Sequence, residues 1–109
     1  MKQWEIWKAR PPEFNTDHWF VIVSAPERIA SPRHQHVNGL ACFTLRGKLL
    51  GTDVQLNSAD GFAAPTACQC DLLYVLEKSR AHSRTGQVTY ERQQAIKRKV
   101  IEVLRFIPA

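Results

Sequence analysis

The stretch Ala67–Arg80 reads ACQCDLLYVLEKSR and sets a carboxylate, Asp71, against the apolar run Leu72-Leu73-Tyr74-Val75-Leu76. A carboxylate buried in such a run is costly unless it is paired or put to use, so Asp71 is a candidate catalytic group. An Asp bonded to loop amides or to Arg80 would explain it in purely structural terms. His18 opens a second apolar run, HWFVIVS, and an unperturbed imidazole can act as acid or base near neutrality. Arg46 follows Thr44 by two residues. An extended chain would put that hydroxyl and guanidinium on one face, where the guanidinium fork could hold an oxyanion. Arg46-Gly47-Lys48 also reads as an exposed turn. Two tighter patterns, His34-Gln35-His36 and Cys68-Gln69-Cys70, each align two potential zinc ligands if extended. Both spacings are shorter than those of zinc fingers, and buried thiols with a basic surface loop explain them as well. No metal or other cofactor is expected.

With 109 residues the chain is expected to form a single domain over 1–109. Its hydrophobic fraction of 44% against 23% charged residues excludes a disordered composition and fits a soluble globular protein. A net charge of +5 and a pI near 9.5 favour nucleic acid, an anionic surface or an acidic polypeptide as partner, without choosing among them. No run reaches the roughly 18 apolar residues of a membrane span. Met1-Lys2-Gln3-Trp4-Glu5 lacks the apolar core of a signal peptide. Cys42, Cys68 and Cys70 are odd in number and fit no disulfide framework, so a reducing cytoplasm is the expected location.

The elements that must position these residues are mostly short strands. Trp4–Ala9 alternates apolar and polar residues, Pro11-Pro12 ends it, and a polar loop leads to a strand over His18–Ser24. Ala25–Asn38 reads as a surface excursion with room for one helical turn. Gly39–Leu45 is a third strand and Thr52–Leu56 a short fourth, followed by turn chemistry at Asn57–Gly61. Ala67–Arg80 supplies the fifth and longest strand. Thr85-Gly86 turns the chain, Gln87-Val88 is a short strand, and Thr89 N-caps a helix over Tyr90–Phe106 that Pro108 closes. Ala95, Ile96, Val100, Val103, Leu104 and Ile107 form its core side, and Arg92, Lys97, Arg98, Lys99 and Arg105 its solvent side. Trp4, Trp7 and Trp19 suit core or dimer contacts, with base stacking as the alternative. The prediction is a mainly β fold, a small barrel carrying a C-terminal α-helix.

In this order of elements the sequence resembles the MazF/PemK/Kid toxins. The resemblance rests on EIW at Glu5–Trp7, VIVS at Val21–Ser24, ACFT at Ala41–Thr44, CD at Cys70-Asp71, EKSR at Glu77–Arg80 and TGQVT at Thr85–Thr89, and spans nearly the whole chain. It implies an SH3-like barrel of the PemK/MazF kind and a sequence-selective, metal-independent endoribonuclease that leaves 2′,3′-cyclic phosphate ends. It also implies a homodimer and a cognate antitoxin with an acidic, partly disordered segment.

Metal-free RNA cleavage needs a base for the 2′-hydroxyl, an acid for the leaving oxygen and positive charge at the phosphate. The resemblance implies catalytic roles for Thr44 and Asp71, both retained here. His18 stands where the family has Arg ahead of the second strand, and Gln69 where some members have Arg two residues before the Asp. His18 as acid or base and Arg46 as phosphate clamp would make up for those arginines. Glu13 matches an acidic loop residue of several members, and Glu13, Gln69 and Arg80 are the expected substrate contacts. The alternative is a module of the same fold that binds nucleic acid or an antitoxin by charge and, lacking those arginines, does not cleave.

Overall fold

The computed structural model describes residues 1–106; Ile107 and Pro108, assigned above to the end of the last helix, lie outside the described residues. The strands are β1 Glu5–Ala9, β2 His18–Ile22, β3 His36–Thr44, β4 Asp53–Leu56, β5 Thr66–Gln69, β6 Tyr74–Glu77 and β7 His82–Gln87. A one-turn helix, α1 Pro26–Ala30, joins β2 to β3, and α2 Tyr90–Leu104 follows β7. The strands run β4-β5-β3-β2-β1-β7 in one sheet, with β6 also on β3. Every pairing is antiparallel. The architecture is therefore mainly β with a C-terminal helix, as the sequence predicts.

Alternation along the strands builds two cores, one on each side of the sheet. Ile6, Val21, Leu40, Cys42 and Cys68 meet Ile96 of α2 on one side, with Trp4, Trp19, Val100 and Val103 packed against them. Ala9, Phe20, Ile22, Val37, Ala41 and Leu76 form the other, covered by Trp7, Phe14, Ile29 and Tyr74. All three indoles are thus packing groups.

The long fifth strand does not form. Cys42 of β3 faces Cys68 of β5, but Gly39, three residues back, faces Tyr74 of β6, six residues on. The extra residues loop out, leaving Asp71, Leu72 and Leu73 exposed. The chain breaks its ladder where continuing it would have buried a carboxylate. β3, with nine residues, is the longest strand instead, because β5 and β6 pair with successive halves of it. It takes in His36–Asn38, which the sequence had placed in the surface excursion. Similarly, β7 covers six residues rather than the expected two.

The end strands β4 and β7 share no ladder among the described residues, yet the chain following β4 meets β7. A Cβ on Gly86 would lie 2.1 Å from the Asp60 carbonyl oxygen, and one on Gly61 2.5 Å from that of Thr85. Only glycine permits this approach, and Gly61 also has φ +107°. Thr85 Oγ1 donates to the Gly61 carbonyl at 2.6 Å. Beside this seam lies the Asp60 side chain, 1% exposed. Its carboxylate accepts from the backbone N–H of Asn57 at 3.0 Å and of Thr89 at 3.0 Å. Arg92 Nη1 approaches it at 3.3 Å, while Arg92 Nε donates to the Gln55 carbonyl at 3.1 Å. Two expectations change. The Thr89 side chain makes no capping bond, because Asp60 serves the start of α2 from outside the helix, and Arg92 turns inward rather than to solvent. The helix also stops at Leu104, where Arg105 adopts the left-handed conformation.

A second buried carboxylate ties β1 to β7. Glu5 accepts from Lys2 N at 2.6 Å and Trp7 Nε1 at 3.1 Å, and pairs with Arg84 Nε at 2.8 Å. Burial works against its charge, but the bonds from Trp7 and Lys2 and the attraction of Arg84 outweigh it and hold the carboxyl below its ordinary value of 4.5.

Asp60→Ala leaves two buried N–H groups and Arg92 without their acceptor and should lower unfolding free energy by about 3 kcal/mol, read from urea denaturation. Glu5, with its acidity raised by folding, stabilises the protein above pH 4.5 and loses that contribution as pH falls through its lower folded value. Thermal unfolding of Glu5→Gln across pH 3–7 should therefore show a deficit relative to wild type that is full at neutrality and shrinks in acid.

Candidate active site

Three of the four side chains expected to do chemistry, His18, Thr44 and Arg46, line one cavity of about 570 Å³. β2 begins at His18 and β3 ends at Thr44, and the pairing of Trp19 with Cys42 brings those ends to the same edge of the sheet. Trp19, Cys42, Phe62 and Thr66 line the cavity too. Arg46 does not reach it by continuation of the strand. β3 stops at Thr44, the Leu45 N–H is held by the Pro65 carbonyl at 2.9 Å, and Gly47 turns the chain at φ +78°. Thr44 and Arg46 are both exposed.

His18 is half-buried. Its ring centroid lies 4.5 Å from that of Phe14 and 5.5 Å from that of Phe43, and its Nε2 is 3.3 Å from Thr16 Oγ1. Phe14 in turn packs on Tyr74, at 5.1 Å. The imidazole therefore borders an aromatic cluster, whereas Thr44 follows Leu40 and Cys42 in the alternation of β3.

The other expected site residues lie elsewhere. Asp71 sits on the exposed bend between β5 and β6 and does not line this cavity. Burial, then the negative charges of Glu13 and Asp71, push the Tyr74 phenol up. Glu13 and Arg80 share a separate cavity of about 350 Å³ with Arg10, His36 and Glu77. Arg80 Nε pairs with Glu77 at 3.1 Å and not with Asp71. Gln69 is half-buried at the end of β5, opposite Asp53.

The ligand patterns also separate. Cys42, Cys68 and Cys70 are buried free thiols, while His34 and His36 are exposed. Hydrogen bonding to Cys42 together with burial pushes Cys68 well up, and hydrogen bonding to Cys68 together with burial does the same for Cys70, so these thiols stay protonated and act as packing groups. Among the described residues no three His, Cys, Asp or Glu side chains are arranged to hold a metal ion.

Two contacts at the cavity were not anticipated. Asp17, which lines it, pairs with His82 at 3.0 Å, and Lys8 Nζ sits 4.9 Å from the Trp19 ring centroid. A hydroxyl and a guanidinium at one open cavity can hold an oxyanion, and an imidazole at its rim, with its ring turned to the aromatic cluster, can move a proton.

No protein-family model matches the sequence, and no curated protein matches it. Solved structures do. One is an endoribonuclease in complex with its cognate antitoxin, from a mycobacterial species: 18% identical, TM-score 0.81, covering 100% of this chain and 99% of that one. The Mycobacterium tuberculosis toxin MazF-mt6 is 16% identical with a TM-score of 0.78, over 94% of this chain and 98% of that one. A further mycobacterial endoribonuclease is 17% identical with a TM-score of 0.78, over 100% and 94%. The chain has the MazF-type fold. At such identities the likeness lies in the backbone, and within it this chain puts His18, Thr44 and Arg46 around one cavity.

Asp71→Ala removes an exposed bend carboxylate, and its unfolding free energy should stay within about 0.5 kcal/mol of wild type in urea titrations.

Proposed function

We propose that this chain is a sequence-selective, metal-independent endoribonuclease of the MazF type, the toxin of a toxin–antitoxin pair. The observation that carries the reading is the meeting of His18, Thr44 and Arg46 at one cavity, in a fold shared over its whole length with structures described as endoribonucleases. A phosphodiester in that cavity meets the Arg46 fork, which offsets the charge growing on the phosphorane, and the Thr44 hydroxyl, which donates to a non-bridging oxygen. His18 takes the 2′-hydroxyl proton, and the 2′-oxygen attacks phosphorus as the bond from phosphorus to the 5′-oxygen breaks. A 2′,3′-cyclic phosphate results, with the 5′-oxygen protonated to a hydroxyl. Asp71, Glu13, Gln69 and Arg80, which do not line the cavity, are assigned to contacts with flanking nucleotides. A net charge of +5 suits both RNA and an acidic antitoxin segment. A homodimer in the cytoplasm completes the reading.

The test is incubation of the protein in EDTA with a long mixed-sequence RNA, followed by mapping of new ends. Discrete cuts bearing cyclic phosphates are expected. His18→Ala should slow them about 100-fold, and Arg46→Lys should also slow them by losing the two-pronged contact. RNA left intact at high protein concentration would instead favour the non-cleaving module, with the absence of Arg at positions 18 and 69 as the cause.

A further inference from the structure

Metal-free cleavage of RNA moves two protons, one from the 2′-hydroxyl and one to the leaving oxygen. His18 stands at the cavity rim with its ring against Phe14 and Phe43, and Asp71 lies outside the cavity. The second proton needs another carrier. Asp17, next to His18 in the chain, lines the cavity and its Oδ2 lies 3.0 Å from His82 Nε2. His82 is thus one hydrogen bond beyond the cavity wall, and its side chain is about half exposed (52%) to solvent. Its counter-ion is in place, whereas His18 borders phenyl rings and has no carboxylate partner among the described residues.

The backbone around His82 is irregular in a way that aims it. Trp7 of β1 faces Arg84 and Lys8 faces His82, so Ser83 has no partner across the ladder and adopts a left-handed conformation, φ +55°. Such a bulge redirects the neighbouring side chain, and a non-glycine residue in that conformation marks a place where geometry is imposed. Here the redirected ring reaches across β1 to the loop leading into β2. Its Nδ1 lies 3.2 Å from the Ser83 hydroxyl, a solvent-exposed contact that an incoming oxygen can replace.

We propose that His82 is the general acid of the site and Asp17 the residue that positions it; this rests on the ribonuclease reading above. The 2′-oxygen forms its bond to phosphorus as His18 takes the hydroxyl proton. The bond from phosphorus to the 5′-oxygen breaks, and the imidazolium of His82 gives the proton on Nδ1 to that oxygen. Nε2–H stays with Asp17. The products are a cyclic phosphate and a 5′-hydroxyl, with one proton gained by His18 and one lost by His82, both restored by exchange with water.

The test compares RNA carrying the natural linkage at a mapped cut with the same RNA carrying sulfur in place of the bridging 5′-oxygen. A thiolate leaves without protonation, so loss of a general acid matters only for the oxygen linkage. His82→Ala is expected to lower kcat about 100-fold on the oxygen substrate with KM little changed, and to stay within a few-fold of wild type on the sulfur substrate. His18→Ala should be slow on both. Asp17→Asn should lower kcat on the oxygen substrate alone, with Asp17→Glu recovering part of the loss. His82→Gln serves the same comparison if the alanine variant misfolds. Equal losses on both linkages, or no loss on either, overturn the assignment while leaving the ribonuclease reading standing. A wild-type protein that cleaves neither RNA overturns both.

Discussion

The buried carboxylate of Asp60 is the joint on which the architecture turns. A sheet whose end strands share no hydrogen bonds would leave two open edges and a half-covered core. Here the turn after β4 is pressed against β7 through Gly61 and Gly86, and the Asp60 side chain reaches past that seam to the first turn of α2. The same group thus sets how far the sheet curls and where the covering helix begins. Its charge is tolerated because two backbone donors and Arg92 converge on it. The consequence extends to the cavity. Phe62, immediately after the seam, buries its ring in the core beneath α2 and lines the space that Thr44 and Arg46 face. A helix-capping interaction on one side of the joint and a cavity wall on the other share one fixed point.

Much of this was open to reading from the sequence, because strand alternation is a local signal. The runs around Ile6, Phe20 and Leu40 announce their strands, and Ile96, Val100 and Val103 announce the buried face of α2. The failures have a common cause. Local signals say which residues want burial but not where a partner strand stops. Ala67–Arg80 reads as one strand because its residues all suit a sheet, and the break at Asp71 follows from two successive partners along β3. Trp4 fits the alternation of β1, yet it takes a left-handed conformation (φ +73°) and the strand begins after it. Asn57-Ser58-Ala59-Asp60 does carry a local clue, since a side-chain acceptor followed three residues later by an acid is the pattern of a capping box. That pattern accounts for the bond from Asn57 N, but nothing local foretells that the same carboxylate reaches Thr89 and Arg92.

The site divides along the same line. His18 and Thr44 are recognisable because each stands at the end of a strongly marked strand, and antiparallel pairing of neighbours in the chain brings those ends together. Asp17 and His82 are 65 residues apart, and their meeting depends on the order β7-β1-β2, which no local pattern encodes. The bulge at Ser83 is equally silent in the sequence, since serine carries none of the preference for left-handed backbone that glycine or asparagine would advertise.

The distribution of carboxylates then sets the charge that the cavity presents. Asp60 and Glu5 are buried, and each is matched by an arginine and by backbone or indole donors, so their charge is spent within the fold. Asp17 differs because it lines the cavity, where a bare negative charge would repel a phosphate. Its partner His82 offsets that charge when protonated, and Lys8 over Trp19 and Arg46 add positive charge around the same opening. In a chain with histidine at 18 and glutamine at 69, the positive field at the cavity is assembled from β1, β7 and the loop after β3. The field at a point depends on where charges sit in space and not on which strand supplies them, so these three sources act together.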